Sequence, residues 1–432
     1  TAWETVQNTA PMAAKLAMDL EAERTAQENR FCRFEMDDFI IVNSASLIGV
    51  NGLQYYWSLE NAKISQYLMD MAVGKFLQYN YRDLDHRTFL GALASVKYDV
   101  FSNTSVYPFG FQDEGEIAVG SKKRYRIFRN QYELPLGYTY NSYISADMFQ
   151  EMDAPRRQEA LLGGVLLDEK GEREAAGRIR KADPVYTGNS RAYAVKCKKG
   201  VIQEADHTFL VEKKNAVVEI TFEGLSDCET YFLVHGADFT LNNKDLEEVY
   251  LNVDLEGSQN RLRYTTPVFR NYTGQKDYLI NLGFHTDEKK QITITFPEPG
   301  RYNFEKMEVI CQPMENYVSK MGDLRKETLN EKVGTNFIKG DISVSADKIL
   351  CLTIPYSRGW NAYVDGKKVS LFQTNGMFMG LLLEKGEHVV ELYYHTPGLF
   401  TGFIASLLGF LLFAVLLCLI RRRKMNEKSI LP

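Results

Sequence analysis

Residues 399–420 form an uncharged apolar run, LFTGFIASLLGFLLFAVLLCLI, followed at once by Arg421, Arg422, Arg423 and Lys424. As a helix the run is about 33 Å long at 1.5 Å per residue, which matches a hydrocarbon core of about 30 Å. It is too long for an ordinary core helix and is not placed as a signal peptide would be. A membrane helix over 398–420 is the expectation. Clustered Lys and Arg stay on the cytoplasmic side of a membrane. Residues 421–432 are therefore expected in the cytoplasm as a short tail, and residues 1–397 outside the membrane.

The sequence opens Thr-Ala-Trp-Glu, without a basic stretch or an apolar segment. A large outward-facing part then implies either a removed signal peptide or the tail of a longer membrane protein. Gly402 and Ser406, like Ala405 and Gly409, stand four apart, a spacing that lets helices approach closely. That spacing favours the second origin.

The rest has the composition of a globular protein. A quarter of the residues are charged, the net charge is −5, and no basic stripe stands out. Nucleic acid is excluded as a partner, because it requires Lys and Arg gathered on one face. Cys32, Cys197, Cys228, Cys311, Cys351 and Cys418 lie far apart with no CxxC pair, so no disulfide framework and no zinc site is read. The six His are scattered without an HExxH motif. No metal and no cofactor is expected.

Hydrophobic periodicity divides the chain. Met12, Leu16 and Leu20 recur at helical spacing within a helix over 1–30. Strands over 31–42, 98–101 and 123–128 alternate with helices over 59–76 and 86–96, which predicts an α/β domain over 1–150. Residues 151–185 read as a charged helical connector, with 168–184 exposed to solvent. From 186 the pattern changes to short alternating runs, among them 216–222, 230–235, 247–253, 277–284 and 291–296. Similar runs over 349–354, 361–364, 377–383 and 388–394 extend it to an antiparallel β-sandwich domain over 186–397. Asp365-Gly366 marks a hairpin, since both central turn positions need positive φ.

No catalytic constellation is found. GxSxG, a P-loop and a strand-to-helix GxGxxG are missing, and the adjacent Asp37 and Asp38 read as a solvated loop. Tyr55, Tyr56 and Trp57 are the candidate binding residues, because exposed aromatic faces stack on sugar rings. The competing reading has these rings filling the core. Pro355, Tyr356, Gly359 and Trp360 read as a structural motif together with Asp365 and Gly366. In it proline fixes an extended start, glycine permits a turn and tryptophan plugs the sandwich.

Those last residues carry a resemblance. The stretch IPYSRGWNAYVDGKKVSLFQTNGMFMGLLLEKGEHVVELYYHTPG, running directly into the apolar segment, resembles the C-terminus of the bacterial YfhO family. Further matches are FCRF at 31–34, LASVKY at 93–98, FRNQYELPLG at 128–137 and RQEAL at 157–161. The resemblance implies a large polytopic protein of the bacterial cell membrane, similar to GT-C-type glycosyltransferases. Such enzymes pass a sugar from a polyprenyl-phosphate donor to an acceptor outside the membrane, here a surface glycopolymer such as lipoteichoic acid. Their catalytic carboxylate lies near the first membrane helices, so the resemblance assigns no catalytic residue to any position of this sequence. It implies the outward-facing, acceptor-side part of such a protein. The alternative is a non-catalytic surface module that binds glycan or partner proteins.

Overall fold

Strand formation begins where β-branched and aromatic residues alternate with polar ones. Phe337–Val344 buries every second residue, and Ala216–Phe222 and Glu248–Leu255 do nearly the same. Each therefore covers a core with one face and meets water with the other. The computed structural model describes residues 31–36, 43, 45–46, 50–74, 79–81, 83–101, 105–119 and 123–428. The helix expected over 1–30 lies outside these, as do residues 37–42 of the expected first strand.

Residues 31–130 contain a sheet in the order Arg33–Met36, Val96–Phe101, Lys123–Asn130, Phe111–Val119. Its first pair is parallel, and the crossover between them carries the helices Ala62–Asp70 and Thr88–Leu93. The other pairs are antiparallel. The α/β expectation is thus met only in part: helices are short, and a local hairpin supplies half of the sheet.

Residues 189–313 form three antiparallel sheets around one core that includes Phe209, Val218, Ile220, Phe232, Leu251 and Ile294. A further pair of sheets follows. One holds Asn330–Val333, Phe337–Val344, Gly386–Tyr394, Trp360–Val364 and Lys367–Val369. The other holds Phe372–Thr374, Phe378–Leu383, Lys348–Pro355 and, from far upstream, Gly137–Tyr140. The upstream strand is stitched in by Leu352↔Gly137 through Ile349↔Tyr140.

A second large core joins distant segments. Tyr67, Phe89 and Leu93 share it with Leu161, Tyr317, Cys351 and Phe378. The stretch 168–184, expected to be exposed, contributes Ala175, Ile179 and Ala182 to the same core. Most of its Glu, Lys and Arg residues are exposed, which is why composition alone made the whole stretch look solvated.

The Asp365-Gly366 turn has φ of 52° and 74°, as a two-residue primed hairpin requires. Just upstream, the Pro355–Trp360 stretch meets the final strand. The His395 amide donates to the Gly359 carbonyl at 2.9 Å, and a Cβ on Gly359 would lie 2.6 Å from the His395 carbonyl oxygen. Trp360 is half-buried, packs on the last core and sits 5.2 Å from the Tyr394 ring. The motif therefore secures the chain where it leaves the sheet for the terminal helix, Leu399–Lys428. The apolar stretch Leu399–Arg422 of that helix is buried against nothing else in the protein. A surface of exposed Leu, Phe, Ile and Val that long is compatible with lipid and not with water.

Candidate functional site

The densest group of ionisable side chains lies inside the protein. Glu35 and Asp99 are direct partners in the parallel pair of the first sheet, so their side chains share a face. His86 reaches them from the loop before Thr88–Leu93, its Nδ1 2.9 Å from Asp99 Oδ2 and its ring edge-on to Phe101 at 4.6 Å. The Leu84 amide donates to Glu35 Oε1 at 2.5 Å. Exposure is 2% for Glu35, 3% for His86 and 0% for Asp99, so no external substrate reaches them in this arrangement.

The loop 83–88 ties the first sheet to the middle sheets. Asp85 and His86 both have positive φ, 61° and 50°, a conformation non-glycine residues adopt only when surrounding contacts enforce it. The enforcing contacts are visible. Asp85 accepts from Asn260 Nδ2 at 2.9 Å and from the Asn281 amide at 3.0 Å. Asn281 Nδ2 donates to the His86 carbonyl and to Glu229 Oε1, each at 2.8 Å. Arg87, 1% exposed, donates to the Met71 carbonyl at 2.6 Å.

The charge states follow from burial and proximity. Burial pushes Glu35 up to about 8, helped by Asp99 and Asp83. Burial alone would deprotonate His86, but Asp99, Asp83 and Glu35 outweigh it and raise the imidazole to about 10. Glu229 rises to about 7 through burial. The arrangement at neutral pH is an imidazolium–carboxylate pair beside a protonated Glu35. Among the described residues Glu35, His86 and Asp99 alone bring donor atoms within 4.8 Å of one another as a cation site would need. Here Nδ1 is spent on Asp99, and the geometry is that of an ion pair.

Sequence reasoning passed over this cluster. The legible signal was the run Asp83-Leu84-Asp85-His86-Arg87 placed directly before an apolar helix that is buried throughout. Four ionisable residues beside such a helix must be paired inside the protein.

The aromatic candidates separate into two environments. Tyr55 packs against the core and meets Tyr81 edge-on at 4.7 Å. Tyr56 and Trp57 face outward, 43% and 58% exposed, with Leu59 beside them at 84%. Their backbone is held firmly. The Tyr56 amide donates to Asn43 Oδ1 at 2.6 Å and the Trp57 amide to the Tyr79 carbonyl at 3.0 Å. The Tyr79 ring stands edge-on to Tyr56 at 5.3 Å, and its hydroxyl accepts from Asn271 Nδ2. An outward-facing aromatic patch thus sits on a fixed backbone. Pro355, Tyr356, Gly359, Trp360, Asp365 and Gly366 belong to the strands and turns of the last pair of sheets, and the Tyr356 carbonyl accepts from Asn61 Nδ2 at 2.8 Å, four residues beyond Trp57.

The pattern that defines bacterial membrane protein YfhO matches residues 5–406. The chain belongs to the YfhO family. The uncharacterized protein YfhO of Bacillus subtilis (strain 168) is 24% identical over 384 residues, covering 86% of this chain and 41% of that protein. This YfhO-family chain thus spans about two fifths of the length of that curated relative. Among solved structures, a variant of arabinofuranosyltransferase AftD from mycobacteria aligns over 95% of this chain and 65% of its own, at 8% identity and a TM-score of 0.36. A second AftD structure aligns over 78% of this chain and 31% of its own, at 10% identity and a TM-score of 0.17. Likeness at that level carries no inference about the chemistry of a YfhO-family chain.

Proposed function

We propose that this chain is the outward-facing, acceptor-side part of a glycosyltransferase-like membrane protein. The whole protein moves a sugar from a polyprenyl-phosphate donor to a surface glycopolymer such as lipoteichoic acid. The observation that carries this reading is the family match over residues 5–406, running into an apolar helix with a cationic end. The burial of Glu35, His86 and Asp99 adds support, because it leaves this cluster of acid and base groups to hold the fold together. Catalysis then belongs to membrane segments of the longer protein. In this reading residues 1–397 form two outward-facing domains, and Arg421–Lys424 keeps the tail in the cytoplasm. A cysteine placed after Pro432 is expected to resist an impermeant thiol reagent on intact cells; labelling there would invert the topology.

The second reading, a non-catalytic module that binds glycan, is favoured by the exposed Tyr56 and Trp57. One experiment separates the two. Full-length protein in proteoliposomes is supplied with polyprenyl-phosphate sugar and lipoteichoic acid, in parallel with the isolated chain. The glycosyltransferase reading expects transfer by the first and none by the second. Transfer by neither leaves the module reading, and transfer by the isolated chain overturns both. In the same material, a Tyr56→Ala/Trp57→Ala double variant is expected to bind teichoic-acid fragments about tenfold more weakly, the equivalent of about 1.4 kcal/mol. Tyr55 is left in place because it packs the core. With a net charge of −5 the binding is expected to depend little on salt. Equal binding by the folded variant removes the aromatic patch from the site.

A further inference from the structure

A cavity of about 160 Å³ opens where three distant segments converge, 159–163, 180–187 and 313–320. We propose that it is a binding site for one neutral, pyranose-sized sugar unit, separate from the Tyr56–Trp57 patch. The acceptor reading above supplies the reason a sugar would arrive there; the site itself rests on the following geometry.

Size comes first. An engineered protein cavity of about 150 Å³ takes up a benzene molecule, so this one has room for one six-membered ring, whose substituents extend outward past the exposed Arg180, Asp183, Asn316 and Lys320.

Its wall is built rather than incidental. Glu159 accepts from the Thr187 amide at 2.9 Å and from the Thr187 hydroxyl at 2.5 Å, and Gln312 Nε2 donates to the same hydroxyl at 2.7 Å. That chain of bonds holds the 180–187 segment against the helix Ala154–Gly163 and the strand Lys306–Pro313. Phe89 and Tyr317, stacked at 5.4 Å, give the cavity an apolar side.

Ser142 in the lining donates its hydroxyl to the Gly163 carbonyl at 2.8 Å. The side chains of Arg180, Asp183, Asn316 and Lys320 also line the cavity, are exposed, and make no side-chain hydrogen bond or ion pair among the described residues. Two cations, Arg180 and Lys320, face two carboxylates, Glu159 and Asp183. The balance gives no preference for an anion. Donors and acceptors around an apolar face instead match a ring that carries hydroxyls on its edge and C–H groups on its flat side.

The test is ligand-observed saturation-transfer NMR on the full chain in detergent micelles. The probes are glucose, galactose and N-acetylglucosamine, with glycerol phosphate as the anionic comparison. Gly163 lines the cavity at a helix end, and a Cβ there meets only Lys320 Nζ at 3.9 Å, so Gly163→Leu fills the space without a backbone clash. Wild type is expected to bind at least one of the three sugars. Gly163→Leu is expected to lose that signal while keeping the wild-type melting temperature. Lys320→Ala/Asn316→Ala, which alters only exposed side chains, is expected to weaken binding about tenfold, and it decides the matter if Gly163→Leu does not fold. Three results would each overturn the proposal: no signal from any sugar, unchanged binding in the folded variants, or tighter binding of glycerol phosphate than of every sugar. Because the assay requires no transfer, its failure leaves the glycosyltransferase reading intact, and failed transfer by full-length protein leaves the cavity result intact.

Discussion

Asp99→Ala is expected to destabilise the protein by about 3–5 kcal/mol, because it strands a buried imidazolium without its partner. His86 loses its 2.9 Å acceptor and is left 3% exposed, edge-on to Phe101 and with Asp83 and Glu35 as the carboxyl groups still near it. The positive-φ pair Asp85-His86 also loses one of the contacts that hold it. His86→Ala is expected to cost a similar amount from the other side, because it removes the imidazolium from beside the fully buried Asp99 carboxylate. The double variant Asp99→Ala/His86→Ala is expected to be less destabilised than the two single losses summed, since each single loss already breaks the same buried contact. Urea unfolding followed by near-UV circular dichroism measures all three. Additive losses would show that the two groups do not act as a pair.

Stability is expected to fall as the pH rises from about 5 to about 9, contrary to the usual pattern for carboxylate-rich proteins. Glu35 is raised from 4.5 to about 8 by burial and by Asp99 and Asp83. Folded protein holds that proton more tightly than unfolded protein does. Its contribution is therefore complete below about 4.5 and is lost as pH rises through about 8. His86 is raised from 6.5 to about 10, so its contribution is complete below about 6.5 and is lost as pH rises through about 10. Both act in the same direction and overlap between about 6.5 and 8, where each costs up to about 1.4 kcal/mol per pH unit. Glu35→Gln retains an oxygen for the Leu84 amide and removes one titration. Its melting temperature is expected to decline less than that of wild type between pH 5 and pH 8. Identical slopes for the two proteins would remove Glu35 as the cause.

The aromatic run shows how far residue type alone can go. Tyr55, Tyr56 and Trp57 look alike in sequence, yet the first belongs to the core and the other two face water. Strand alternation separates Tyr55 from Tyr56, and Trp57 lies beyond that two-residue strand; the assignment of faces depends on Tyr81 and Tyr79, which come from the paired strand and its flank. Asp37 and Asp38, adjacent and conspicuous in sequence, lie outside the described residues, whereas Glu35 just before them is buried.

What this sequence determined by itself is local in origin. The membrane helix follows from an uninterrupted apolar run, the Asp365-Gly366 hairpin from two residues that tolerate positive φ, and strands such as Ala216–Phe222 and Gln291–Phe296 from a period of two. Each depends on side chains a few positions apart. Tertiary structure alone decided which strands pair and which charges meet. Gly137–Tyr140 joins a sheet made of residues more than two hundred positions away, and Glu35, His86 and Asp99 converge only because a parallel pairing sets Glu35 opposite Asp99. The physical reason is that such contacts are selected by the burial of whole faces and the pairing of desolvated charges, and both depend on partners that no local window contains.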